Sequence, residues 1–201
     1  MARQITFLWH GNAHELYEGA PDKLRRLSRK GRDQARERRE QLGNPKFDLI
    51  ICSQVIRTTE TALEVAGKDN IAPVVMLYEL FTPHSGPVHD ALERLFQKLG
   101  HQSLSAYYAD DPADVKQMRR FGRIGWEIII SKIANTVISN SDYRVLVVGH
   151  DICLACMVNS SYPDETSECL MDLIQGECDG FVVKLDECDD VVSISLLPPL
   201  E

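Results

Sequence analysis

Six short runs rich in Val, Ile, Leu and Phe punctuate the chain, at Gln4 to Trp9, Phe47 to Cys52, Val74 to Tyr78, Arg144 to Gly149, Gly180 to Leu185 and Val191 to Leu196. The first four are apolar throughout rather than alternating, which predicts strands covered on both faces. The stretches Ser28 to Leu42, Thr58 to Ala66, Val88 to Leu99, Val115 to Ser139 and Ile152 to Ser160 read as helices between them. The order β-α-β-α-β with long helical insertions predicts a three-layer α/β/α sandwich around a mostly parallel sheet. Right-handed crossovers bring parallel strand ends to one edge, so Trp9, Cys52, Tyr78 and Gly149 should terminate together.

In the first helix Leu27, Gly31, Ala35 and Leu42 fall near one face, and the small residues four apart would let it lie close against the sheet. Its other face is almost wholly charged. The last two strands, separated by Asp186 to Asp190, read as a hairpin at the sheet edge. Between Phe81 and Pro112, prolines, glycines, histidines and paired aspartates break any period. Such composition suits a variable insertion or lid, at about 80–125, over a site. Residues 1–201 are expected to form a single domain, since this length buries one continuous core.

Four polar side chains follow the predicted strand ends: His10, Arg57 a few residues on, Glu79 and His150. Their shared place in the topology is what would unite residues so distant in sequence. A net charge of −8 argues against a general nucleic-acid binder, and no apolar run approaches the roughly 20 residues that span a bilayer. With no leader-like start, a cytoplasmic location and reduced thiols are expected for the six cysteines. Nine bases lie between Lys23 and Arg39. They read first as a solvated helix face, and otherwise as a positive region able to draw in a small anion. Cys153 and Cys156 have the spacing of a redox pair or half a zinc site, yet they lie on an apolar helix and read as buried small residues.

Around these positions the chain resembles the histidine phosphatase (phosphoglycerate mutase-like) superfamily. Leu27-Ser28-Arg29-Lys30-Gly31-Arg32-Asp33-Gln34-Ala35 is similar to its Leu-Thr-x-x-Gly-x-x-Gln-Ala helix start. Ser53-Gln54-Val55-Ile56-Arg57-Thr58-Thr59-Glu60-Thr61-Ala62 resembles its Ser-Pro-Leu-x-Arg-Ala-x-x-Thr-Ala segment, while Leu77-Tyr78-Glu79 and Val147-Val148-Gly149-His150 resemble two further motifs. Trp9-His10-Gly11 stands where the family has Arg-His-Gly, so an indole replaces a phosphate-binding guanidinium. The resemblance implies a phosphohistidine mechanism without metal or other cofactor. His10 would be the nucleophile, Glu79 the proton donor, and Gly11, Arg57 and His150 the phosphate-binding groups, with His150 also catalytic. A protonated His150 and a close approach of Gly11 to the anion belong to that expectation.

The implied ligands are a small phosphorylated substrate or inorganic phosphate, with a phosphoprotein as an alternative, and neither nucleic acid nor membrane. The leading expectation is a phosphomonoester hydrolase slowed by Trp9. A noncatalytic phosphate-ligand or protein-binding module and a phosphohistidine-protein phosphatase are the alternatives. Arg119, Arg120 and Arg123 are candidates to replace the absent guanidinium. The oligomeric state is left open.

Overall fold

Four parallel strands and an antiparallel hairpin make one six-stranded sheet. The computed structural model describes residues 3–15, 21–100, 102–110, 112–137, 142–161 and 176–200. The strands are β1 (Arg3–Trp9), β2 (Leu49–Cys52), β3 (Val74–Met76), β4 (Tyr143–Gly149), β5 (Gly180–Leu185) and β6 (Val191–Leu196), in the spatial order β3-β2-β4-β1-β5-β6. The helices are α1 (Arg29–Gln41), α2 (Ile56–Ala66), α3 (Pro87–Leu99), α4 (Leu104–Tyr108), α5 (Pro112–Thr136) and α6 (Asp151–Ser161). This is the expected three-layer α/β architecture.

The period-2 geometry of the strands divides the core. Ile5 and Phe7 of β1 join Ile129 and Ile133 of α5 and Met157 of α6 on one side, whereas Leu8 joins Ala35 of α1 and Ala62 and Val65 of α2 on the other. Phe7 stacks on Phe181 with ring centroids 4.9 Å apart, tying β1 to β5. Gly122 and Gly125 let α5 and α6 meet closely: a Cβ at 122 would lie 2.0 Å from the carbonyl oxygen of Cys156.

Two expectations need correction. The run ending at Tyr78 is a strand of only three residues with Val74 and Met76 exposed, at the sheet edge beside β2. Tyr78 instead opens a 3₁₀ turn, Tyr78–Leu80. Within the aperiodic region α3 falls where a helix was expected, whereas the short α4 was not expected; the two pack around Leu95, Leu104, Tyr107 and Met118. The predicted helix end at Ser139 and Cys169 lie outside the described residues.

The charged face of α1 is not merely solvated. Arg26 and Arg32 pair with Glu60, Arg32 and Arg36 with Glu64, and Arg36 also with Asp33. Arg38 is fully buried, donating to the carbonyls of Cys178 and Pro198 and pairing with Asp179. Those bonds staple α1 to the segments flanking the hairpin. A buried guanidinium is tolerated only when its donors are satisfied in this way.

Candidate active site

The site is set by the β1–β4 register. Trp9 pairs with Gly149 in the parallel ladder, and the His10 N–H donates to the Gly149 carbonyl at 3.2 Å. Consecutive exits from adjacent parallel strands therefore place His10 beside His150, with ring centroids 5.0 Å apart and planes at 70°. Both are buried. Phe81 lies edge-on against the other side of His150 at 4.8 Å.

Arg57 enters from the first turn of α2 and is 5% exposed. Its Nε donates to Nε2 of His10 at 3.0 Å. A guanidinium only donates, so Nε2 of His10 is the unprotonated nitrogen and Nδ1–H donates to the Gly11 carbonyl at 2.8 Å. The ring thus presents a lone pair at Nε2 with its other nitrogen fixed by a backbone acceptor. In the described arrangement that lone pair is capped by Arg57.

The remaining donors of Arg57 go to Asp22, with Nη1 to its backbone carbonyl at 3.0 Å and Nη2 to Oδ2 at 2.9 Å. Asp22 belongs to a 3₁₀ turn, Asp22–Leu24, and its Oδ1 accepts from Nη1 of Arg25 at 3.2 Å. These residues reach the site because the chain doubles back on itself. Ser28 N–H donates to the Asn12 carbonyl and His14 N–H to that of Arg26, while Ala13 and Leu27 form an isolated antiparallel bridge. Arg25 is locked to the same ladder through Nε to the His14 carbonyl at 2.8 Å. Sequence reasoning missed Asp22 and Arg25. The only available signal was that short ladder, too brief to be seen as strand pairing.

Gly11 owes its identity to packing. Its Cβ would lie 2.7 Å from the Gly31 carbonyl oxygen, and its N–H already donates to Oγ1 of Thr61. Asn12 braces the same turn, accepting from Ser28 and donating to Glu177. Trp9 is half-buried and sets its indole at 65° to the His10 ring, centroids 5.7 Å apart. It flanks the histidine pair without separating it. Glu79 is half-buried in the turn between Leu77, whose N–H donates to Cys52 at the end of β2, and Phe81 on the His150 ring.

Arg119, Arg120 and Arg123 do not gather here. They line a groove of about 770 Å³ with Tyr108, Lys116 and Ser160. Ser160 lies ten residues along from His150, roughly 15 Å of helical rise. Cys153 and Cys156 are buried with thiol pKa values pushed up by burial, as befits packing residues. Among the described residues no cluster of His, Cys, Asp and Glu could hold a metal ion, and no helix is long and apolar enough to cross a membrane.

Burial dominates the electrostatics. It pushes the His10 pKa down from 6.5 to about 4, opposed by the bond to Gly11 and assisted by Arg57. His150 is driven well below its ordinary value by burial and then by His10 and Arg57. Both imidazoles are therefore neutral near pH 7 in this arrangement, in which no anion stands beside them. Nε2 of His150 lies 3.4 Å from the Ser53 hydroxyl.

A pH dependence of stability follows. The unfolded chain protonates His10 below about pH 6.5, while the folded chain refuses that proton until about pH 4, so stability falls as pH drops through this window. Between pH 7 and pH 5 the contribution of His10 is on the order of 2 kcal/mol. Urea unfolding at the two pH values should show a smaller loss in His10→Asn than in the parent; equal losses would contradict the buried neutral imidazole.

Comparisons with known proteins place the family and the fold. The family model of the histidine phosphatase superfamily, branch 1, matches residues 6–166, and the chain belongs to that family. Comparison with curated protein sequences gives no match. Among solved structures, the chain is similar to a phosphoserine phosphatase of Entamoeba histolytica in complex with 3-phosphoglyceric acid, at 15% identity and TM-score 0.65, covering 98% of each chain. It is also similar to the α-ribazole phosphatase of Shigella flexneri, at 18% identity and TM-score 0.62, over 98% of this chain and 99% of the other. A third likeness is to the protein histidine phosphatase SixA complexed with tungstate, at 19% identity and TM-score 0.58, over 96% and 94%.

Proposed function

We propose that the chain hydrolyses phosphomonoesters through a phosphohistidine at His10. The observation that carries this reading is the tautomer imposed on His10: Nδ1–H held by a carbonyl and a bare Nε2 beside a guanidinium and a second imidazole. That is the form a nitrogen nucleophile requires at neutral pH.

Nε2 of His10 forms a bond to phosphorus as the ester P–O bond breaks. The departing oxygen takes a proton from the Glu79 carboxyl group. Glu79, now a carboxylate, takes a proton from water, whose oxygen attacks phosphorus while the P–N bond breaks. Phosphate leaves and His10 recovers its lone pair. Arg57 holds phosphoryl oxygens through both steps, and the His150 ring contributes one hydrogen bond where charge develops. No step needs a metal. The small phosphorylated substrate is favoured over a phosphoprotein by the buried position of His10.

Brief reaction with an aryl phosphate carrying labelled phosphorus, followed by denaturation at alkaline pH, should trap acid-labile label on the peptide containing His10. Label on another residue would displace His10 from this role, and turnover with no covalent label at any time point would favour direct attack by water.

A further inference from the structure

The family position that normally carries a cation beside the nucleophile holds Trp9, and the other candidate arginines line a remote groove. A second guanidinium nevertheless stands at the site. Arg25 and Arg57 grip one carboxylate between them, Arg25 Nη1 on Oδ1 of Asp22 at 3.2 Å and Arg57 Nη2 on Oδ2 at 2.9 Å. Both arginines act on His10 through space. Two guanidiniums converging on a pair of oxygens beside an imidazole lone pair form a seat for a tetrahedral oxyanion. Here that seat is filled by the protein's own acid.

We infer that Arg25 supplies the cationic donor that position 9 lacks, and that the Asp22 carboxylate is a resident stand-in for two phosphoryl oxygens which an incoming phosphate group displaces. The inference rests on the phosphate-directed reading of this site. On displacement, Nη1 of Arg25 and Nη2 of Arg57 pass from Asp22 to phosphoryl oxygens. Arg57 Nε must also leave His10, since it caps the nitrogen that attacks. One motion thus loads the anion and uncovers the lone pair.

Accessibility supports exchange. The side chain of Asp22 is 39% exposed and that of Arg25 29%, whereas Arg57 is 5% exposed. Water reaches the carboxylate from outside while the guanidinium behind it is buried. Arg25 is held by its Nε bond to the His14 carbonyl, so its remaining donors stay directed when Asp22 withdraws. Before displacement Asp22 is charged, because Arg57 and Arg25 hold its pKa down against burial. Phosphate must therefore compete with a resident anion, which makes Asp22 a restraint on affinity.

The test measures binding of inorganic phosphate to the full chain at neutral pH by titration calorimetry, independently of turnover. Asp22→Asn, which keeps shape and removes charge, should tighten the Kd about tenfold, the effect of one charge-assisted contact released. Adding Arg25→Ala should abolish that gain, and Arg25→Lys should restore part of it. Thermal melts of each variant separate binding from loss of fold. If Asp22→Asn leaves the Kd within twofold of the parent, or if Arg25→Ala does not weaken binding in the Asp22→Asn background, the inference is overturned. The catalytic reading fails separately: phosphate affinities following this pattern in a chain that never labels His10 uphold the seat and remove the hydrolase, and labelled His10 with unaffected affinities does the reverse.

Discussion

His10→Ala is expected to lower turnover of an aryl phosphate by at least about 10³-fold, since the covalent route disappears with its nucleophile. Among the described residues His150 is the imidazole beside it. His150 shares the pocket, but its Nε2 faces the Ser53 hydroxyl and its ring is wedged between His10 and Phe81. The fold should survive, because the His10 backbone bond to Gly149 and the strand pairing behind it are untouched. Arg57 loses one partner and keeps Asp22. Steady-state rates together with a thermal melt check this result. A folded His10→Ala variant hydrolysing at the parental rate would move the chemistry elsewhere.

The bland alternative for this chain is a phosphate-binding module that has stopped turning over. Trp9 is its sequence motive, and the capped lone pair of His10 gives it a structural one. Affinity and turnover must therefore be read separately. A module of that kind would bind phosphate through Arg25 and Arg57 with no label at His10. A hydrolase does both.

The fold was legible because its signals are local. Apolar runs fall within a residue or two of β1, β2, β4, β5 and β6, and helical stretches within a residue or two of α1, α2, α3 and α6. β3 was misread because Val74 to Met76 looks like a buried strand in composition; only the sheet order reveals that it lies on an edge. His10, Arg57 and His150 were legible as a group because parallel topology sends strand ends to one side. Asp22 and Arg25 were not, since they arrive through a two-bond ladder between loop segments and have no periodicity. The nine bases from Lys23 to Arg39 looked uniform, yet the structure sorts them by partner: surface pairs for Arg32 and Arg36, a buried staple for Arg38 and the site for Arg25.

The contact between α1 and the turn after β1 ties this fold to its site, and Gly31→Ala tests it. A Cβ at position 31 would lie 2.0 Å from the Asn12 carbonyl oxygen and 2.8 Å from its nitrogen, so backbone rather than a flexible side chain must yield. Alanine brings little compensating helix propensity, because Gly31 sits in the first turn of α1 with its N–H on the Ser28 cap. Overpacking of this kind costs about 2–4 kcal/mol when backbone must move. The turn cannot shift freely, as Asn12 is bonded to Gln34, Ser28 and Glu177. The displacement therefore passes to Gly11, whose carbonyl fixes the His10 tautomer, and turnover per folded molecule should fall at least about tenfold as the nucleophile loses its aim. Chemical denaturation and rates measured well below the melting temperature separate the two effects. A lowered stability with an unchanged rate would show that α1 supports the fold without positioning His10, and no loss of stability would contradict the close approach itself.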